Sequence, residues 1–266
     1  MIGQLRNIEL IDTCVRNNNF PHFCIIEGAE GSGKRTLLSY IANKLNTEII
    51  FFENKVDGVR ELIETCYSQV KPLIYCIINC QQCSVTAQNA MLKIVEEPPK
   101  NAYIILCSNS HTLLPTIYSR AWLIKMEQYT NEELTRFSIQ NHINDLALKY
   151  GTTCGELLML DKLNLQDLEN LCTNIVDKAS QCNVTSILKI GQKFQLKDGA
   201  EGINVRVFLL VLSTVIFNRI KGNTLSLDNT KQLYSWYQSI HECQHQLDLG
   251  YNPQYIIETL LLSFRV

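Results

Sequence analysis

Gly28-Ala29-Glu30-Gly31-Ser32-Gly33-Lys34-Arg35-Thr36 follows the apolar segment Phe23 to Glu27 and leads into a helical stretch from Thr36 to Leu45. Strand, glycine loop and helix in that order are the setting of a Walker A phosphate loop. Glycines let the backbone curl until successive N–H groups point at phosphate oxygens. The helix N-terminus adds its positive end, and Lys34 reaches the terminal phosphates. Gly28, Gly31, Ser32, Gly33, Lys34, Arg35 and Thr36 are therefore the candidate nucleotide-binding residues. One position departs from the motif. Where Ser or Thr ligates magnesium stands Arg35, and Thr36 is rotated by about 100 degrees around a helix of 3.6 residues per turn. Magnesium is in question on those residues, and a plain glycine-rich turn stands as the alternative to a nucleotide site.

Turnover asks for more than a loop. A neighbouring strand must end in an acidic residue that holds the magnesium shell, and a second usually polarises the attacking water. The candidate strand, Leu73 to Ile78, runs into Asn79-Cys80-Gln81-Gln82, and no Asp or Glu occurs between Glu64 and Glu96. Such catalysis is mostly charge stabilisation around the metal, so losing hydroxyl and carboxylates together is expected to abolish turnover. The expectation is ATP or ADP bound without hydrolysis, with occupancy left open. An active P-loop ATPase is the alternative.

Two further constellations could do chemistry. His241-Glu242-Cys243-Gln244-His245 spells H-E-x-x-H, which on a helix sets two imidazoles one turn apart for zinc, with the glutamate as general base. A zinc hydrolase needs a third ligand; Asp248 and Glu258 are the near downstream carboxylates, the latter beyond the break at Asn252-Pro253. Cys80 and Cys83 form a CxxC with no second pair, read as buried thiols. No metal site is therefore assigned, and zinc is not expected.

The elements that must position these residues divide the chain. Five of its six prolines lie between Pro21 and Pro115, among the short apolar runs Phe23 to Glu27, Glu48 to Phe52, Leu73 to Ile78 and Tyr103 to Cys107. Runs apolar throughout, rather than alternating, are strands covered on both faces, so the sheet should be mostly parallel. From Thr116 to Asn252 proline is absent and apolar residues recur at helical spacing, as in Leu165, Leu168, Leu171 and Ile175. Thr130 followed by Asn131, Glu132 and Glu133 marks a capped helix start and a boundary near residue 127. A second boundary is expected near Leu163 to Gln166. Asn252-Pro253 carries the cap and first-turn chemistry of a final amphipathic helix.

Bulk properties narrow the function class. Lys and Arg number 24 against 26 Asp and Glu, so the chain lacks the broad basic surface of an autonomous nucleic-acid binder. The longest strongly apolar run, Val207 to Phe217, is well short of the roughly 20 residues that span a bilayer. The first residues lack a signal-peptide pattern, and 11 scattered cysteines suit buried thiols in a reducing compartment. A cytoplasmic location with no membrane contact is expected.

Asn19-Phe20-Pro21-His22 before the loop, then Ala87-Gln88-Asn89-Ala90-Met91-Leu92-Lys93-Ile94-Val95-Glu96-Glu97-Pro98-Pro99, then Leu114-Pro115-Thr116-Ile117-Tyr118-Ser119-Arg120, keep an order that resembles the clamp-loader AAA+ family. Within it the chain resembles delta prime chains of DNA polymerase III. The resemblance is strong to about Lys125, weaker afterwards, and returns at the Asn252-Pro253 helix. It implies a RecA-like P-loop domain over 1–127, a helical lid over 128–165 and a helical oligomerisation collar over 166–266. In that family the arginine of a Ser-Arg-Cys element reaches a neighbouring subunit's ATP site. Arg120 holds that place here, with Ala121 replacing the cysteine, and a surface ion pair is its plainer role. Ser108 and Asn109 fall where a phosphate sensor would sit and are expected to cap the loop that follows. The four-cysteine zinc module of many relatives is missing from Leu45 to Val59. The implied partners are an ATPase subunit, a delta-like subunit, the sliding clamp and primer–template DNA.

Overall fold

A computed structural model describes residues 2–178, 184–192, 194, 204–222 and 227–264. They form two compact units, Met1–Ile143 with Gly151–Leu158, and Asn144–Tyr150 with Met159–Val266. The first is an α/β unit built on strands β1 (Phe23–Glu27), β2 (Glu48–Phe52), β3 (Leu73–Ile78), β4 (Ala102–Ser108) and β5 (Trp122–Lys125). They make a five-stranded sheet in the order β2-β3-β4-β1-β5, parallel at every pairing. Strands all running one way bring their carboxyl ends to one edge. Gly28, Asn79, Asn109 and Met126, the residues that follow β1, β3, β4 and β5, are brought there together.

The helices of this unit are α1 (Leu5–Arg16), α2 (Lys34–Leu45), α3 (Val56–Ser68), α4 (Val85–Glu96), α5 (Pro115–Tyr118) and α6 (Asn131–Asn141). Alternate strand residues enter opposite cores. Cys24, Ile26, Cys76 and Ile105 join Ile11, Leu37, Leu38 and Ile41 of α1 and α2. Phe23, Ile25, Tyr75 and Ile104 join Val59, Leu62, Met91 and Ile94 of α3 and α4. Covering both faces is why β1, β3 and β4 read as largely unbroken apolar runs. Each fully buried Ile or Leu contributes roughly 1.5–3 kcal/mol, enough that the sheet holds its edge rigidly under the loops.

Two local expectations shift. β5 was not among the strands read from sequence; it is four residues long and sits at the sheet margin beside β1. The helix expected from Thr36 starts at Lys34, because Gly33 at φ 89° turns the chain before it. The Thr130 cap forms as a full capping box with Glu133.

The second unit is helical: α7 (Asp145–Leu148), the end of α8 (Cys154–Leu160), α9 (Leu165–Asp177), α10 (Val184–Gln192), α11 (Val205–Lys221), α12 (Leu227–Asp248) and α13 (Pro253–Ser263). Phe208, Leu209, Val211, Leu212 and Ile216 of α11 are fully buried, so the apolar run is a core helix. Asn252 caps α13 by accepting from the Gln254 N–H, with Pro253 in its first turn. Among the described residues no helix is long and apolar enough to cross a membrane.

Candidate nucleotide site

At the sheet's carboxyl edge the loop after β1 curls through Gly31 (φ 76°) and Gly33 (φ 89°), left-handed conformations that favour glycine. Its carbonyls are held in sequence. The Lys34 ammonium donates to Gly28 O at 2.7 Å and Ala29 O at 2.8 Å. Thr153 Oγ1 donates to Glu30 O at 3.1 Å, Gly155 N to Gly31 O at 3.0 Å and the Tyr129 hydroxyl to Ser32 O at 2.9 Å. With the carbonyls tied back in this way, the loop is preorganised as a set of donors. The approach of α8 is tight enough that a Cβ on Gly155 would lie 2.4 Å from the Gly31 Cα. Ser32 Oγ is buried without a hydrogen-bond partner.

The loop opens on a cavity of about 680 Å³. Gly33, Lys34, Arg35, Thr36, Asn79 and Asn109 line its polar end; Ile2, Tyr129, Phe137, Cys154 and Leu158 supply apolar and aromatic wall. A polar end rich in N–H and cationic groups beside an aromatic wall is suited to a phosphate chain joined to a flat ring. Lys34 is 9% exposed, and burial holds its pKa below the ordinary lysine value. Burial, then the neighbouring Cys154, pushes the Tyr129 phenol up, so that it stays a neutral donor to the loop.

Of the residues singled out from sequence, Gly31, Gly33, Lys34, Arg35 and Thr36 meet in this cavity; Gly28 and Ser32 belong to the loop behind it. Asn109 joins them, its N–H accepted by Gln81 Oε1 at 3.1 Å. Ser108 caps the following loop as expected, its hydroxyl donating to Ser110 O at 2.6 Å. Tyr129, Phe137, Thr153, Cys154 and Gly155 were not legible as site residues, because they come from segments about a hundred residues downstream and match no fixed motif.

Arg120 lies just past α5, outside the cavity lining. Its guanidinium is paired with Glu96 at 2.5 Å and donates to Thr116 O at 2.9 Å and Ser119 Oγ at 3.1 Å. About a third of the side chain is exposed, so solvent reaches the pair. Two unforeseen polar contacts hold α5. Buried Gln88 accepts from Leu114 N at 2.8 Å and donates to Cys83 O at 2.9 Å, fastening the start of α5 to the start of α4. Glu27, the residue before Gly28, accepts from the Tyr118 hydroxyl at 2.9 Å, and His111 Nδ1 lies 2.8 Å from the same oxygen.

The other motifs do not assemble. His241, Glu242 and His245 are exposed on α12, with the His241 ring edge-on to Tyr237. Glu258 is hydrogen-bonded to Gln254, and no group of three metal-binding side chains forms among the described residues. Cys80 and Cys83 are buried; burial pushes the Cys83 thiol up to about 11 and Cys80 well above its ordinary value.

Residues 52–130, from the last residue of β2 to the Thr130 cap of α6, match the family model of DNA polymerase III, delta subunit. The chain is 26% identical over 231 residues to the DNA polymerase III subunit gamma of Buchnera aphidicola from Schizaphis graminum, covering 73% of this chain and 63% of that one. With the Buchnera aphidicola gamma subunit from Acyrthosiphon pisum it shares 25% over 273 residues, 88% of this chain and 76% of the relative. Among solved structures, a DNA polymerase III gamma subunit-related protein of Thermotoga maritima superposes with a TM-score of 0.54 at 17% identity, over 97% of this chain and 98% of the other. The RuvB Holliday junction branch migration motor of Thermotoga maritima gives a TM-score of 0.50 at 17% identity, covering 97% and 85%. The last two likenesses show a shared RecA-like AAA+ fold. The matched segment and the gamma relatives make this chain similar to DNA polymerase III subunits, and the solved structures show the fold it shares with them.

Proposed function

We propose that this chain is a clamp-loader subunit of the delta prime kind, which holds ATP or ADP without hydrolysing it and serves its assembly through position and through Arg120. The observation that carries the reading is the composition of the cavity's polar end: an intact glycine loop and lysine, but Asn79 at the end of β3 and Arg35 at the metal-ligand position. Glu30 is the carboxylate in that wall, and it belongs to the loop itself. Binding groups are present while the groups that organise metal and water are not.

In this reading the chain stands beside an ATP-hydrolysing subunit and a delta-like subunit. Residues 1–127 form the P-loop domain, 128–165 the lid and 166–266 the collar that joins the ring of subunits. Arg120 leaves Glu96 to meet the phosphates of the neighbour's nucleotide. An exposed Arg–carboxylate pair is worth about 0–1 kcal/mol, so exchanging it for a phosphate partner costs little. The assembly loads a sliding clamp onto primer–template DNA, and the near-neutral charge of this chain fits DNA contact shared with partners. Steady-state phosphate release by the purified chain with ATP and magnesium tests the inert site. The expected result is no turnover above that of Lys34→Ala; turnover abolished by Lys34→Ala would make the chain an ATPase.

A further inference from the structure

A phosphate loop that turns over nucleotide places magnesium between the hydroxyl after its lysine and a carboxylate shell at a neighbouring strand end. The residues here do not fit that ion. The hydroxyl position carries a cation, Arg35, and the strand-end position carries the neutral amide of Asn79 at φ 55°. Thr36 reaches the same cavity, but one hydroxyl beside Lys34 and Arg35 offers a hard dication mostly repulsion.

The placement of Arg35 is itself informative. The first turn of α2 holds Lys34 and Arg35 and no acidic residue, the opposite of what a helix N-terminus favours. Arg35 is exposed and makes no ion pair with the described residues. Two cations against a helix's positive end weaken the fold slightly and strengthen a site for a multiply charged anion. A guanidinium presents paired N–H donors to phosphate oxygens and keeps its charge at every working pH.

We propose that Arg35 takes the electrostatic place of magnesium, so that this site binds a nucleoside di- or triphosphate as the metal-free polyanion. The proposal rests on the nucleotide-holding reading above. Lys34 and the loop N–H groups grip the chain at one side, and Arg35 neutralises the oxygens that metal would otherwise bridge. The apparent affinity of this site is then highest without magnesium, because the metal complexes the free nucleotide that Arg35 and Lys34 would hold.

The test is calorimetric titration of ADP and of ATP into the purified full chain, once in excess EDTA and once in excess magnesium. Both nucleotides are expected to bind more tightly in EDTA than in excess magnesium, the difference being larger for ATP, which holds the metal more tightly; equal or tighter binding with magnesium would overturn metal-free binding. Arg35→Ala weakens binding in EDTA by about tenfold or more, as loss of a charge-assisted hydrogen-bonding group implies, and Arg35→Lys recovers part of it. Binding that appears only with magnesium, or that Arg35→Ala leaves unchanged, overturns the assignment to Arg35 while leaving the chain a nucleotide binder. Absence of heat in both conditions, with a folded protein by circular dichroism, removes the nucleotide reading and this inference together.

Discussion

At the scale of single residues, the site depends on atoms that leave no room for alternatives. Gly155 meets the Gly31 backbone so closely that Gly155→Ala must move the phosphate loop or α8. We expect it to lower unfolding free energy by about 1–3 kcal/mol, as overpacking does, measured by urea denaturation. Gly222→Ala is the control: its added Cβ would sit 3.5 Å from the nearest atom, ordinary contact, and its stability should change by less than about 1 kcal/mol. Lys34 carries a pH signature. Burial lowers its pKa in the folded protein, so the ammonium is lost at a lower pH than an exposed lysine's. Nucleotide affinity is therefore expected to hold at neutral pH and fall on the alkaline side before the ordinary lysine value is reached. Fluorescence titration across alkaline pH checks it; a decline that tracks an unshifted lysine would argue against the buried ammonium.

At the scale of elements, α5 is short and is held by side chains from elsewhere, Gln88 at its start and Glu27 through Tyr118. Gln88→Ala strips the half-buried Leu114 N–H and the buried Cys83 carbonyl of their partner, which costs about 1–3 kcal/mol and should appear as a lowered denaturation midpoint. Asp12 joins α1 to α2 by accepting from Tyr40 at 2.7 Å and pairing with Lys44 at 2.9 Å. Those bonds, Tyr40 foremost and then Lys44, lower its pKa. A depressed carboxylate stabilises above its unfolded pKa and loses that contribution as pH falls through the folded value. Asp12→Asn should thus be less stable than the parent at neutral pH, with the gap closing in acid; a gap constant with pH would contradict the pairing. Sequence reached these elements unevenly. The strands β1, β3 and β4 were legible because burial on both faces makes them continuously apolar, and the edge strand β2 was legible as an apolar run although Phe51 is exposed. β5 was not, being four residues long with Trp122 and Lys125 at its ends. The Thr130 and Asn252 caps were legible because capping chemistry is local. The clamp of Thr153, Gly155 and Tyr129 on the loop was not, since a long-range backbone contact prints no pattern in the chain.

At the scale of the molecule, the proposed function joins a glycine loop that carries Arg35 after its lysine to Arg120, which lies outside the cavity lining. The absence of carboxylates after β3 was readable from sequence and is what the cavity wall repeats. The Arg120–Glu96 pair was foreseeable only as a type of contact, because their partnership depends on how α4 and α5 meet. The chain spans 63% of the first gamma relative and 76% of the second, so the properties of those subunits as wholes reach this chain as proposals. The most direct test of the central claim is DNA- and clamp-stimulated ATP hydrolysis by the reconstituted cognate loader carrying either the parent chain or Arg120→Ala. With Arg120→Ala, hydrolysis by the neighbouring subunit is expected to fall about tenfold or more while size-exclusion chromatography shows the complex intact. An unchanged rate in an intact complex would contradict the claim.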